Sequence, residues 1–168
     1  EYLDNTFSIK IANDEILVFP VKISKNVESV IHYWKRFEEK NLTIITKLPG
    51  IPVLVKADGM QLYRVLENLY TNAAKYAMEN TRVYVDLTQD NNRAVFTIKN
   101  ISKNEIKVEG GDYNNLTERF VRGEISRTTE GSGLGLSIAK NLTILMGGTF
   151  EIKVDGDLFI AQLSFEMI

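Results

Sequence analysis

The chain has 168 residues, of which 44% are hydrophobic and 25% charged, and its formal net charge is −2. These values are typical of one folded globular domain and give no general attraction to nucleic acid or to an anionic membrane. The absence of cysteine and the presence of one histidine exclude disulfide scaffolds, thiol catalysis and metal sites built from these residues. No apolar run reaches the roughly 20 residues of a membrane span, and the chain begins at Glu1 without methionine. We therefore expect a cytoplasmic piece of a longer protein.

The first part of the chain predicts short strands around one amphipathic helix. Alternating apolar residues predict extended segments at 9–11 and 16–23. Apolar residues spaced three and four apart predict a helix at 27–40. Two more short strands are expected, one beginning at residue 42 and one at 52–56.

The rest of the chain predicts two helices and two β-hairpins, with one long polar stretch between them. In chain order these are a helix at 60–78, a hairpin at 81–100, the polar stretch at 102–132, a helix at 134–146 and a hairpin at 149–167. A connection as long as the polar stretch is unusual in a compact domain unless it serves as a lid or a binding loop. This order predicts an α/β two-layer sandwich, a mixed and mainly antiparallel sheet with about three helices on one face.

The helix predicted at 60–78 carries an unusual polar stripe beside its apolar one. At about 100° per residue, Asn68, Asn72, Lys75 and Tyr76 fall on this stripe. Asparagine is a mediocre helix former, but its amide oxygen is a hard, neutral ligand for Mg²⁺, and a lysine one turn further on can meet a phosphate. A solvated flank of the helix, with an aromatic residue at its edge, is the alternative interpretation.

A glycine-rich junction precedes the helix predicted at 134–146. It contains Gly131, Gly133 and Gly135, with Leu134 between the last two. Closely spaced glycines let backbone amides approach a ligand, and the following helix directs its unpaired N–H groups toward it. We expect the phosphates of a nucleotide here, although the spacing fits neither the dinucleotide GxGxxG motif nor the P-loop. A flexible loop that closes on a helix is the alternative.

The long polar stretch also carries three arginines, Arg119, Arg122 and Arg127. Arginine on a mobile loop can neutralise a phosphoryl group in transfer, and such a loop can close on its substrate. Each arginine alone could equally be a solvated surface charge. The neighbouring Phe120 could anchor the loop in the core.

Taken together, these motifs resemble the ATP-binding catalytic domain of sensor histidine kinases. Its superfamily also contains gyrase-type topoisomerases, ninety-kilodalton heat-shock chaperones and anti-sigma-factor kinases. The resemblance extends from about residue 21 onward, and its strongest segments are 68–76, 118–123 and 131–140. It implies the Bergerat-type ATP-binding fold.

The resemblance also implies a domain organisation and a set of roles. Residues 1–20 would be a residual linker from an upstream dimerisation domain, residues 21–168 the catalytic domain and residues 102–131 the ATP lid. Asn72 would hold Mg²⁺ on the phosphates with support from Asn68, and Lys75 and Arg122 would face the phosphates. Tyr76 would lie against adenine. The nucleotide-binding residues of the lid and of the second glycine box would be Phe120, Gly131, Gly133, Leu134 and Gly135.

One position separates the branches of this superfamily. Its ATPases and serine kinases have a glutamate, acting as a base, four residues before the metal-binding asparagine. Here that position is Asn68, which cannot take a proton at neutral pH, and Glu67 is turned about 100° around the helix. An imidazole acceptor fits best, which favours a histidine kinase over a hydrolase or a serine kinase.

The sequence departs from the family pattern where the first glycine box is expected. Residues 100–104 contain no glycine, and Asn100 replaces the aspartate that accepts a hydrogen bond from adenine. Its amide oxygen can still accept without charge, while its NH₂ group could donate to a guanine carbonyl. We therefore expect weaker adenine selectivity or weaker nucleotide binding. A docking or regulatory module with impaired nucleotide binding is the alternative function.

The sequence lacks the pattern of a phosphoacceptor histidine, and the expected partners follow from this. The one histidine, His32, lies within the helix predicted at 27–40 and lacks the acidic and proline neighbours of a phosphoacceptor. We expect ATP and Mg²⁺ as cofactors, and as partners a histidine-bearing dimerisation domain of the parent kinase and, through the parent, a response regulator. Nucleic acid and direct membrane contact are not expected. The parent would be a membrane-bound sensor with this domain in the cytoplasm.

Overall fold

The computed structural model describes residues 7–12, 15–20, 35–51, 53–106, 117 and 134–168. Residues 35–39 are helical. The named elements are β1 (Phe7–Ala12), β2 (Glu15–Pro20), β3 (Thr43–Lys47), β4 (Val53–Lys56), α1 (Gly59–Tyr76), β5 (Arg82–Asp90), β6 (Arg93–Ile101), α2 (Gly135–Leu145), β7 (Thr149–Asp155) and β8 (Leu158–Glu166). Of the helices within these ranges, none has both the length and the apolar character that crossing a membrane would demand.

The main sheet has five strands in the order β3-β5-β6-β8-β7. The β3 and β5 strands run parallel, and all other neighbours in this sheet are antiparallel. Side chains alternate between buried and more exposed along β5 and β6, as expected for a sheet with one covered face. Helices α1 and α2 contact each other, α1 also contacts β6, and α2 contacts β7. The two-layer sandwich predicted from the sequence is confirmed.

Helix α1 begins and ends close to the predicted positions. The Asp58 carboxylate accepts a hydrogen bond from the Gln61 backbone N–H at 2.9 Å and so caps the first turn. The apolar stripe of the helix is buried against the sheet, and it consists of Leu62, Leu66, Leu69 and Ala73. Because the apolar stripe is buried, the polar stripe beside it lies at the edge of the contact between α1 and the sheet.

The tight turns use residues that tolerate positive φ. Asn91 and Asn92 join β5 to β6 with φ values of 46° and 62°, the combination that a two-residue hairpin turn requires. Gly147 follows α2 with a φ of 80°, and Gly156 lies between β7 and β8 with a φ of 58°. Both predicted hairpins are confirmed.

A second, three-stranded sheet has the order β1-β2-β4. Residues 7–12 and 15–20, which lie within the linker predicted at 1–20, form β1 and β2, and β2 pairs with β4 through residues 15–18. The N-terminal segment is therefore hydrogen-bonded to the domain, and the boundary at residue 20 stays a prediction. Of the helix predicted at 27–40, the described residues show its last turn, in which Phe37 is only 1% exposed.

Candidate functional site

The polar stripe of helix α1 forms one continuous surface in the structure. Asn68, Asn72, Lys75 and Tyr76 are all half-buried and lie beside the buried apolar stripe. The Lys75 ammonium nitrogen lies 5.0 Å from the centroid of the Tyr76 ring, within the range of a cation–π contact. The helix thus presents two amide groups, a cation and an aromatic ring on one side.

Asn68 connects this surface to the second helix. Its Nδ2 atom donates a hydrogen bond to the Arg64 carbonyl at 2.8 Å. A Cβ atom placed on Gly135 would lie 3.2 Å from the Asn68 Oδ1 atom, which is tighter than ordinary packing. Glycine at position 135 therefore lets the start of α2 approach the asparagine surface closely.

The start of α2 has the properties of an anion site. Its N-cap is Leu134, and the part of the chain described here provides no side-chain cap. The first backbone hydrogen bond runs from the Ile138 N–H to the Leu134 carbonyl at 2.9 Å. Because the first N–H groups of a helix have no acceptor within it and carry partial positive charge, they can bind a phosphate. Leu134 and Gly135 thus lie at the start of the helix, as predicted from the sequence.

The Asn72 side chain offers one amide oxygen, which is the hard type of ligand that Mg²⁺ binds. No described residue forms a hydrogen bond with the Asn72 amide, which leaves its oxygen available to a ligand. Across the described ranges, no group of three or more His, Cys, Asp or Glu side chains could hold a metal ion. Asn72 would be the residue to hold such an ion, and phosphate oxygens and water would have to supply the other ligands.

Asn100 offers a buried acceptor at the end of β6. The residue is 2% exposed, and its Nδ2 atom donates a long hydrogen bond of 3.3 Å to the Ile101 carbonyl. Its Oδ1 atom has no hydrogen-bond partner among the described residues. A buried acceptor without a partner lowers the stability of a fold by about 1–3 kcal/mol. A ligand that donates a hydrogen bond to this atom would remove that cost and would therefore bind favourably.

Backbone contacts bring the end of β6 to the end of α1. Ala77 pairs with Ser102 in an isolated bridge, and the Lys103 N–H donates to the Tyr76 carbonyl at 2.8 Å. The segment that follows Asn100 is therefore attached to the turn of α1 that carries Lys75 and Tyr76. The structure in this way brings the backbone that follows Asn100 to the helix end that carries Tyr76.

Several predicted site residues lie outside the described residues. These are Phe120, Arg122, Gly131 and Gly133, with most of the predicted lid; His32, which we do not expect to be a site residue, also lies outside them. Within the lid region the structure describes residues 102–106 and Thr117. Thr117 is 3% exposed, and the Lys140 ammonium nitrogen of α2 lies 3.4 Å from its hydroxyl oxygen.

Sequence reasoning missed Lys40, which contacts the end of helix α1. Its Nζ atom donates to the Lys75 carbonyl at 2.6 Å and to the Ala77 carbonyl at 3.3 Å. Burial is the main cause that lowers the pKa of Lys40 below its ordinary value of 10.5. The one signal in the sequence is that no glycine follows Tyr76, so this helix end needs partners from elsewhere in the chain.

The fold and this surface define a class of nucleotide-binding domain, a helix-covered sheet with an asparagine-bearing helix beside the start of a second helix. Residues 57–166 match the family described as histidine kinase-, DNA gyrase B-, and HSP90-like ATPase. The chain belongs to this family.

Curated relatives include sensor kinases from several bacteria. Sensor histidine kinase YcbM of Bacillus subtilis (strain 168) is 30% identical over 127 residues, which cover 74% of this chain and 40% of the relative. Sensor protein GtcS of Aneurinibacillus migulanus is 33% identical over 113 residues, which cover 67% of this chain and 30% of the relative. The chain thus spans less than half the length of these relatives.

Solved structures support the fold. The catalytic domain of histidine kinase ThkA superposes with a TM-score of 0.65 at 19% identity, covering 83% of this chain and 88% of that one. The mycobacterial sensor histidine kinase MprB superposes with a TM-score of 0.61 at 22% identity, covering 83% and 93%. The described architecture is therefore that of histidine kinase catalytic domains.

Proposed function

We propose that this chain is the ATP-binding catalytic domain of a two-component sensor histidine kinase. It would transfer the γ-phosphoryl group of ATP to a histidine on a separate dimerisation domain. The observation that carries this proposal is the close approach of the Asn68 amide to Gly135. This approach supports the proposal because the asparagine surface of α1 and the start of α2, which would bind a phosphate, would then form one site.

Each side chain of the surface has a distinct task in this proposal. The N–H groups at the start of α2 would bind a phosphate, and Lys75 would contribute a positive charge to the triphosphate. Asn72 would hold Mg²⁺, with Asn68 supporting the same region, and the ion when bound would neutralise phosphate charge. Tyr76 would pack against the base. Catalysis would then consist of positioning and charge neutralisation.

The nature of position 68 supports transfer to histidine. The Asn68 side chain is hydrogen-bonded to the Arg64 carbonyl and has no group that accepts a proton at neutral pH. An attacking water or serine hydroxyl needs such a base, whereas a neutral imidazole nitrogen does not. The acceptor that suits this site is therefore an imidazole.

Asn100 would contact the base. Its Oδ1 atom, which has no hydrogen-bond partner among the described residues, would accept a hydrogen bond from the adenine amino group, in place of a charged aspartate. A neutral acceptor stabilises this contact less than a carboxylate would. We propose that base selectivity is correspondingly lower in this domain.

The remaining roles concern the parent protein. Arg122 and Phe120 in the lid, and Gly131 and Gly133 before α2, would complete the nucleotide site. The partners would be the dimerisation domain of the parent kinase and, through it, a response regulator. The domain would lie in the cytoplasm, attached to a membrane-bound sensor.

Phosphoryl transfer tests the proposal directly. The chain is incubated with Mg²⁺, ATP labelled at the γ-phosphate and the histidine-bearing dimerisation domain of its parent kinase. We expect label on that domain that is stable to alkali and lost in acid, and almost none with Asn72→Ala. Thr71→Ala, an exposed neighbour on the same helix, is the matched control. Steady release of phosphate to water without a labelled acceptor would instead indicate a hydrolase.

A further inference from the structure

The C-terminal end of helix α1 is closed by contacts from distant segments. The last carbonyl groups of a helix have no partners within it, and α1 is followed by Ala77 in an extended conformation with φ −64° and ψ 143°. The Ala77 N–H donates to the Ala73 carbonyl at 2.9 Å, and the Lys103 N–H donates to the Tyr76 carbonyl at 2.8 Å. The Lys75 carbonyl between them requires a donor from another part of the chain.

Lys40 supplies that donor. Its Nζ atom lies 2.6 Å from the Lys75 carbonyl oxygen and 3.3 Å from the Ala77 carbonyl oxygen, so it bridges the two residues that flank Tyr76. A positive charge at this end of a helix also interacts favourably with the helix dipole. One ammonium group thus fixes the backbone on both sides of the aromatic residue.

The backbone of Lys40 is itself held in place. Its carbonyl accepts a hydrogen bond from the Asn80 N–H at 2.9 Å, and the helical turn before it is anchored in the core by Phe37. The Asn41 side chain donates to the Asn80 side-chain oxygen at 3.0 Å. Because the backbone and the ammonium group of Lys40 are both hydrogen-bonded, this residue links the segment at residue 40 firmly to the end of helix α1.

We propose that Lys40 is a positioning residue of the nucleotide site. By fixing residues 75–77, it sets the direction in which the Lys75 and Tyr76 side chains leave the helix. This inference rests on the proposed function, because Lys75 and Tyr76 are the residues that would meet phosphate and base. Without the ammonium bridge, the last turn of α1 frays and the two side chains lose their common orientation.

The experiment combines calorimetric titration with amide hydrogen exchange. The ligand is a non-hydrolysable ATP analogue with Mg²⁺, and the variants are Lys40→Met, Lys40→Arg and, as a control, Lys35→Met. Lys35 belongs to the helical turn that precedes Lys40, and its side chain is 72% exposed. We expect Lys40→Met to raise the Kd about tenfold, because the variant would have to order the last turn of α1 on binding, at a cost comparable to that of one hydrogen bond to a charged group. It should also speed exchange of the Ala77 and Lys103 amides, while Lys40→Arg restores both and Lys35→Met changes neither.

The outcomes separate this inference from the proposed function. Absence of nucleotide binding by the wild-type chain would overturn the proposed function. Wild-type binding with an unchanged Kd in Lys40→Met would overturn the positioning role, and faster exchange in that case would show that Lys40 only stabilises the helix end. If Lys40→Met does not fold, Lys40→Gln, which keeps one donor without the charge, is titrated instead. Unchanged affinity in that variant would overturn the inference equally.

Discussion

Replacing Asn100 with aspartate tests how the site contacts the nucleotide base. In the wild-type domain the residue is 2% exposed, and its NH₂ group donates to the Ile101 carbonyl at 3.3 Å. Asn100→Asp removes that donor and buries a negative charge beside a carbonyl oxygen. The free domain should therefore lose stability, by more than the roughly 1–3 kcal/mol that an unpartnered neutral polar group costs, because the buried group is charged.

The affinity of Asn100→Asp for ATP, in contrast, should increase. A hydrogen bond to a charged acceptor is roughly twice as strong as a neutral one, a gain of about 1 kcal/mol, or about fivefold in Kd. A guanine nucleotide presents a carbonyl oxygen where adenine has its amino group, and a carboxylate would repel it. The preference for ATP over GTP should therefore rise by about tenfold or more.

The assay measures the Kd of non-hydrolysable ATP and GTP analogues calorimetrically, together with thermal unfolding of each variant. Asn104→Asp is the control, since this exposed residue carries the same change of charge away from the buried position. If Asn100→Asp remains folded and its ATP-to-GTP preference equals that of the wild-type chain, Asn100 does not contact the base and the reasoning is refuted.

Three further predictions concern packing and charge. In Gly135→Ala the new Cβ would press on the Asn68 amide oxygen 3.2 Å away, so the Kd for Mg·ATP should rise several-fold. The control Gly50→Ala, where a Cβ meets nothing within 4 Å, should bind as the wild-type chain does. Equal affinities of the two variants would contradict the close approach of the helices. Phe37→Ala should lower the free energy of unfolding by about 3–5 kcal/mol in chemical denaturation. The control Lys35→Ala should change it little. A similarly small change in Phe37→Ala would mean that Phe37 is not a core residue. The pKa of Lys40 is lowered below 10.5 in the folded domain. Between that lowered pKa and 10.5, the unfolded chain therefore binds more protons at Lys40 than the folded domain does. Through this group, the free energy of unfolding should rise with pH in this range. Lys40→Arg stays charged and should lack that rise in denaturation at successive pH values; identical profiles would show that Lys40 is not desolvated.

The regular elements could be predicted because each has a clear hydrophobic period. The helix predicted at 60–78 is observed as Gly59–Tyr76, and the hairpin predicted at 81–100 as two paired strands between Arg82 and Ile101. Periodicity reports which face of an element is buried, and for these segments that information is sufficient. The polar stripe of α1 was found in the same way.

Contacts between distant segments could not be predicted. The pairing of β2 with β4 has no signature in either strand, since the hydrophobic pattern of a strand does not identify its neighbour. The bridge from Lys40 to the carbonyls that flank Tyr76 depends on where a preceding helical turn packs. The approach of Asn68 to Gly135 likewise depends on how two helices pack together.

Calorimetric titration with a non-hydrolysable ATP analogue, with and without Mg²⁺, tests the central claim most directly. It is performed on the wild-type chain, on Asn72→Ala and on the control Thr71→Ala. We predict saturable binding that weakens by about tenfold in Asn72→Ala, weakens without the metal and is unchanged in Thr71→Ala. Absence of binding at millimolar nucleotide would contradict the account, and the domain would then be studied as a docking module.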